Sequence, residues 1–236
     1  MGLPVISHPT FSLILPSTGQ QITFRPFLVK EEKILLIAQS SEDRTDIVRA
    51  IKQVISNCII EPKMDVNDFT TFDLEYFFIK LRAKSVQNVV SLSYKDNEDG
   101  KIYDVEVNLD EVEVKKPEGI ESRVEITPTS GLTLKYPTMR LMDDVEGLAS
   151  AAEFNFAIML ACIDMYYDGD NVYKLSDFTR AEATEFLDDL NIETYQKIQK
   201  FVETMPSLEH VISYTNSNGK EVKITLKTLT DFFTLG

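Results

Sequence analysis

From Phe11 to Leu28, apolar and polar positions alternate on either side of Ser17-Thr18-Gly19, which predicts strand, turn, strand. Phe11, Leu13 and Leu15 share one face of the outgoing strand, and Ile22, Phe24 and Pro26 alternate along the return. The period then changes to helical. A helix is expected from about Val29 to Gln39. A second, from about Asp43 to Ile60, carries Ile47, Ile51, Val54, Ile55 and Cys58 at helical spacing and stops at Pro62. A third runs from about Phe72 to Lys84. It opens with Asp73 and Glu75 near its positive end and closes with Lys80, Arg82 and Lys84 near its negative end.

The middle reads as β. Val89 to Tyr94 and Ile102 to Leu109 flank a turn of Asx and Gly residues at 96–100, and Val124 to Thr127 and Leu132 to Tyr136 flank Thr129-Ser130-Gly131. Between these hairpins, Lys115 to Gly119 places Pro and Gly among charges and is the best candidate boundary. It predicts two halves, 1–117 and 118–236, unless the chain forms one domain.

The last third reads as mostly helical. A buried helix is expected at about 146–168. Thr179 with Glu182 then makes a capping box, with Phe178 and Ala183 at the staple positions. Ala183, Phe186, Leu187 and Leu190 define one apolar face. The next helix, with Ile192, Tyr195, Ile198, Val202 and Met205 on a face, ends at Pro206. A hairpin from Val211 to Leu226 around Asn216-Ser217-Asn218-Gly219 leads into a short helix carrying Phe232 and Phe233. The fold class is α+β: an N-terminal hairpin with helices, a β-rich middle, and a helical last third ending in a hairpin.

The segment at 93–101 echoes the one at 213–220, and each precedes an alternating strand ending in Leu. Two polar-tipped hairpins that converge on one turn chemistry explain this, as does a duplicated module. Their outline resembles zinc-knuckle hairpins, but no Cys or His occupies the ligand positions, so no metal is assigned.

The chain's 236 residues are 43% apolar, enough for a sizeable core, and 24 bases against 38 acids give a formal net charge of −14. That balance repels phosphate backbones and argues against nucleic acid as a partner. Between Arg140 and Leu190 there are 12 acids and three bases, read mainly as solvated helical faces. Cys58 and Cys162 lie in apolar helical runs without metal or redox spacing and read as small core residues in a reducing compartment. Residues 1–10 show no signal-peptide pattern. The apolar run Phe156 to Ile163 is far short of the roughly 20 residues that span a bilayer, so no membrane is expected as a partner.

Candidate chemistry is sparse. The only histidines are His8 and His210, and no nucleophile-elbow, zinc-protease or phosphate-loop motif is present. Asp168 to Asp177 has the outline of a calcium loop. Alignment to that loop puts Tyr166 where an acid is needed and Asn171 where glycine makes the turn. It reads as an acidic connection, with weak cation binding left open. The neighbouring carboxylates Asp143 with Asp144 and Asp188 with Asp189 point to different sides of a helix and do not converge. No catalytic residue, metal or cofactor is assigned. Phe232 and Phe233, at a chain end that normally frays, must dock against something, either the chain's own core or a partner's groove. The partner reading is preferred.

Residues Pro4 to Phe11, Phe24 to Leu36 and Ile51 to Cys58, with Phe72 to Val86 and more loosely the terminal hairpin, carry a family likeness. The chain resembles the baseplate hub assembly protein family of T-even-type, contractile-tailed bacteriophages. The resemblance implies a non-enzymatic structural subunit or assembly factor of the tail baseplate hub. Its partners would be other phage baseplate and hub proteins, met in the host cytoplasm during assembly and in the virion tail. The opening hairpin and helix are also similar to small tail-tube chaperones, which implies an alternative: a tail-assembly chaperone absent from the mature virion. A tail-borne hydrolase is the third reading. Oligomeric state is not fixed by these residues.

Overall fold

The computed structural model describes residues 6–41, 43–144 and 150–233. They group as two compact units, one made of residues 1–115 with 207–236 and the other of 116–206.

The first unit begins as its alternation demands. Strands β1 (Phe11–Ile14) and β2 (Gln21–Phe24) pair antiparallel, with Phe11 opposite Phe24 and Leu13 opposite Ile22. Helices α1 (Val29–Ser41) and α2 (Arg44–Cys58) follow, and strand β3 (Ile59–Glu61) returns to the free edge of β2. Helix α3 (Thr71–Ser85) lies across this layer. Phe24 and Phe77 meet at 5.2 Å between ring centroids, and Phe69 and Phe77 at 6.2 Å, all three rings fully buried.

One ion pair fixes how the hairpin enters the helices. Arg25, directly after β2, reaches Glu31 in the first turn of α1 through two contacts, Nη2 to Oε1 at 3.0 Å and Nη1 to Oε2 at 3.4 Å. Glu31 has no exposed surface, and Oε2 also accepts from the Leu28 amide at 2.8 Å. The guanidinium donates in addition to the Asn57 carbonyl near the end of α2 at 3.1 Å, and to that of Pro26 at 2.9 Å. Burial alone would raise the Glu31 carboxyl. Hydrogen bonds from Arg25 and the Leu28 amide outweigh it and hold the group below the usual carboxylate range.

Helix α3 is tethered at both ends. Thr70 and Asp73 form a capping box, with the Asp73 amide donating to Thr70 Oγ1 at 3.2 Å and the Thr70 amide to Asp73 Oδ2 at 3.3 Å. The second Asp73 oxygen accepts from the Ser17 amide in the β1–β2 turn at 3.0 Å. The sequence pattern reads Asp73 as a dipole partner; its larger role is this long-range tie. At the other end, the Phe27 amide donates to Ser85 Oγ at 2.9 Å.

The rest of the unit packs against α3. Strands β4 (Val89–Lys95) and β5 (Ile102–Asn108) form a hairpin, and β6 (Glu113–Lys115) follows a 3-10 turn whose carbonyls at Leu109 and Asp110 accept from Lys80. The second unit begins beyond it.

That unit is a four-stranded antiparallel sheet covered by helices. Strands β7 (Arg123–Glu125) and β8 (Ser130–Leu134) are followed by α4 (Met139–Asp144) and α5 (Ala151–Cys162). Then come β9 (Ile163–Asp168), β10 (Asn171–Lys174), α6 (Arg180–Asp188) and α7 (Ile192–Glu203). The sheet order is β10-β9-β8-β7. Leu132, Ile158, Cys162, Ile163, Leu187 and Ile198 fill its core, and Tyr136 stacks on Phe201 at 5.0 Å.

Two expectations change here. The helix expected at 146–168 ends at Cys162, and the chain turns at once into β9, a central strand paired on both sides. Extended backbone suits Ile163, Tyr166 and Tyr167, and partner β8 lies about 30 positions back, outside any local window. Residues 146–149 of the expected helix lie outside the described residues. Ile192, assigned to the apolar face of α7, is 72% exposed; Thr194, Ile198 and Phe201 form the buried face. The capping box at Thr179 and Glu182 is present.

The chain then re-enters the first unit. Strands β11 (Ser207–Thr215) and β12 (Glu221–Leu226) form the terminal hairpin, and α8 (Leu229–Phe233) closes the described chain. The terminal hairpin, read from sequence with the second half, sits in the first unit because β11 pairs with β6, Leu208 opposite Val114.

Two substitutions test these constraints. Asp73→Ala removes the cap and leaves the buried Thr70 and half-buried Ser17 amides without their acceptor, so urea unfolding should show a loss of about 1–3 kcal/mol. Gly131 sits in β8, where a Cβ would meet the Tyr167 hydroxyl and lie 2.5 Å from the Val124 carbonyl oxygen. Gly131→Ala should cost about 1–3 kcal/mol by overpacking.

Candidate functional site

The two hairpins that echo each other in sequence lie tip to tip. Asp96 and Asn216 occupy the same place in their turns. The Asp96 amide donates to the Lys101 carbonyl and the Gly100 amide back to Asp96; the Asn216 amide donates to Lys220 and the Gly219 amide back to Asn216. Each side chain caps its own loop as an Asx turn: Asp96 Oδ1 accepts from the Glu98 amide at 2.7 Å, and Asn216 Oδ1 from the Asn218 amide at 3.1 Å. Gly100 and Gly219 close the turns at φ 71° and 78°, the left-handed region that favours glycine.

The tips then bind each other. Tyr214 donates to Asp96 Oδ2 at 3.0 Å, and Asn216 Nδ2 reaches Asp96 at 3.4 Å and Glu98 at 3.3 Å. The Ser217 amide donates to the Tyr103 hydroxyl at 2.7 Å and to Asp99 Oδ2 at 3.0 Å, which also accepts from Ser217 Oγ and Tyr103. Lys220 pairs with Glu98. Tyr103 and Tyr214 stack at 4.6 Å. Hydrogen bonds from Ser217, Tyr103 and the Lys101 amide hold Asp99 far below the usual carboxylate range. The Glu98 amide, with Tyr214, lowers Asp96 against its burial. The Asp99 contact pushes the Tyr103 hydroxyl up, and burial followed by Asp96 pushes up that of Tyr214. Donors already surround these carboxylates, so the arrangement fastens two hairpins rather than poising a base.

The first unit also carries an apolar pocket of about 800 Å³ between α1, α2, α3, β4 and α8, lined by Leu35, Leu36, Ile51, Phe78, Leu92 and Phe232 among others. Within helix α1, residues 34–38 form an unbroken apolar run of more than one turn, of which Ala38 is buried while Leu36 is 58% and Ile37 71% exposed.

Phe232 is 1% exposed and packs with Ile79, Leu92, Val107 and Leu226 in the first unit's second core. The preference for a partner's groove is corrected for this residue: α8 folds it onto β4 and it closes its own core. The side chain of Phe233 lies outside the described residues, as do those of Asp143 and Asp144. The acidic stretch at 168–177 is the tight β9–β10 turn, with Asn171 opposite Asp168, then strand β10 and a 3-10 turn. Among the described residues, no three His, Cys, Asp or Glu side chains gather as a metal site. Cys58 and Cys162 are buried free thiols, and burial pushes both up to about 12. The sequence signal for the clamp was present in the repeated segments. Nothing in it marked Glu31 as buried, or α1 as uncovered.

The profile of a family described as T4 bacteriophage base plate protein matches residues 8–234. The chain belongs to that family. No curated protein and no solved structure matches it. Membership agrees with the resemblance read from the opening segments and makes this a phage baseplate protein of the T4 type, a structural component of the tail that meets other baseplate proteins. In that setting the clamp and the uncovered helix are features of a part that must hold its shape while presenting surfaces.

Two outcomes check the site. Phe232→Ala should lower the stability of the isolated protein by about 3–5 kcal/mol in urea unfolding. The clamp should also depend on pH. Its carboxyls titrate lower folded than unfolded, so its contribution is full above the unfolded value of about 3.9 and is lost as pH falls through the folded values. Exchange of the Ser217 amide, followed by NMR, should therefore accelerate relative to core amides as pH drops below 4, and should already be fast at neutral pH in Asp99→Asn.

Proposed function

We infer that the protein is a non-enzymatic part of the baseplate hub, a structural subunit or assembly factor that acts through protein–protein contacts. The family match across residues 8–234 carries this reading. The likeness of the opening segments to hub assembly proteins narrows it to the hub. The structure supports it through the exposed apolar face of α1 beside the 800 Å³ pocket, a surface whose apolar residues a partner would remove from water. The saturated carboxylates of the clamp and the buried thiols offer no activated nucleophile or base. Host cytoplasm during assembly, then the virion tail, is the location this role requires.

Affinity capture of the tagged full chain from infected cells, with mass spectrometry of purified virions, tests the reading. Hub proteins should co-purify with the chain, and its peptides should appear in the particle at a fixed ratio to other baseplate proteins. Capture of tail-tube proteins, with no peptide in virions, would instead establish the chaperone role.

A further inference from the structure

The sheet of the second unit ends in a strand that is exposed on both faces. β10 is its edge, in the order β10-β9-β8-β7, and Asn171, Val172, Tyr173 and Lys174 are all exposed. Tyr173, 43% exposed, lies on the helix-covered face, stacked on Tyr166 at 5.9 Å. Val172, 59% exposed, lies on the other face opposite Tyr167. The Gly169 amide donates to the Thr129 carbonyl at 2.9 Å, so residue 169, and with it 167, turns its backbone groups toward β8. By the same alternation, Asp168 and Tyr166 face Asn171 and Tyr173 across the β9–β10 ladder. The amides and carbonyls of Val172 and Lys174 therefore point outward, where no strand meets them. Asp170, just before β10, and Lys174, at its end, are exposed and make no ion pair among the described residues.

We propose that this edge pairs with the same edge of a second copy of the chain, antiparallel and centred on Val172. A two-fold axis normal to the sheet keeps every side chain on its own face. It sets the outward groups of Val172 against those of Val172 of the second copy. Asn171 then stands opposite Tyr173, and Asp170 opposite Lys174, once on each side of the axis. Charge selects both the occupant and the register. Lys174 deters pairing with a strand that has no acid at the matching place. A second copy supplies that acid, because Asp170 and Lys174 are equally far from Val172. A register centred on Tyr173 would set Lys174 against Val172 and leave both charges unmatched. Two four-stranded sheets become one of eight strands. The contact is small and the chain's net charge of −14 opposes it, so it is weak on its own and is measured near physiological salt. It does not depend on the hub reading.

The test uses the full chain. With oxidised glutathione, Val172→Cys should give a disulfide-linked dimer, since the Cα atoms of such a hydrogen-bonded pair stand about 5.5 Å apart. Tyr173→Cys should not, because this register holds the two copies of that residue more than about 7 Å apart. Cys58 and Cys162 are buried and give the parent no cross-link. Sedimentation equilibrium then gives the dimerisation constant. Lys174→Glu should weaken it at least about fivefold, and Asp170→Lys added to that variant should restore it to within about twofold. All of these positions are exposed, so the variants should melt as the parent does. A chain that stays monomeric, no cross-link through Val172→Cys, an equal one through Tyr173→Cys, or a charge swap that fails to restore pairing would each overturn the proposal.

Discussion

The Arg25–Glu31 pair is the constraint from which the first unit is laid out. Its carboxylate is wholly buried in the first turn of α1, and its guanidinium sits between β2 and the last turn of α2. An ion pair taken out of water is stable only when further hydrogen bonds meet the remaining donors and acceptors. Here the Leu28 amide and the carbonyls of Pro26 and Asn57 do so. The geometry ties the end of the hairpin, the first turn of α1 and the last turn of α2 to one point. The tether from Ser17 to Asp73 and that from Phe27 to Ser85 then set α3 against this frame, and the Phe24–Phe77 contact fills the space between.

A baseplate component has to present surfaces in a fixed arrangement, and the structure shows two ways of doing so with few residues. The clamp joins hairpins more than 100 positions apart in sequence by making each tip's carboxylate or amide serve both its own turn and its neighbour. The β6–β11 pairing returns the terminal hairpin to the unit where the chain began. Neither device is a site of chemistry. Both tie segments distant in the chain into one unit. The uncovered side of α1, in the segment that carries the strongest family likeness, is then a surface held in a defined place.

What could be read from the sequence follows the range of the forces involved. Helices α2, α3 and α6 and the hairpins at β1–β2, β4–β5 and β11–β12 were legible because spacing, caps and turn residues act within a few positions. Thr179 with Glu182 and Gly100 with Gly219 are examples. Strand β9 was not, since the apolar run from Phe156 through Ile163 continues without a break and its end is extended through pairing with β8 on one side and β10 on the other. Phe232 was misassigned for the same reason: its burial depends on β4, about 140 positions earlier. The echo between the hairpins was visible, but that the copies would grip each other was not. Glu31 looks like an ordinary acid at a helix start, and its burial arises from Arg25 only once β2 and α2 have met.

A double-mutant cycle on Arg25→Met and Glu31→Gln, read by urea unfolding followed through tyrosine fluorescence, tests that arrangement most directly. Each single change should cost about 3–5 kcal/mol, because it strands the other group in a largely buried place. The double variant should cost less than the sum by about 2 kcal/mol or more, within the range measured for residues of one buried network. Costs that add to within about 0.5 kcal/mol would mean that the two groups act independently, and that the ion pair is not what sets the first unit in place.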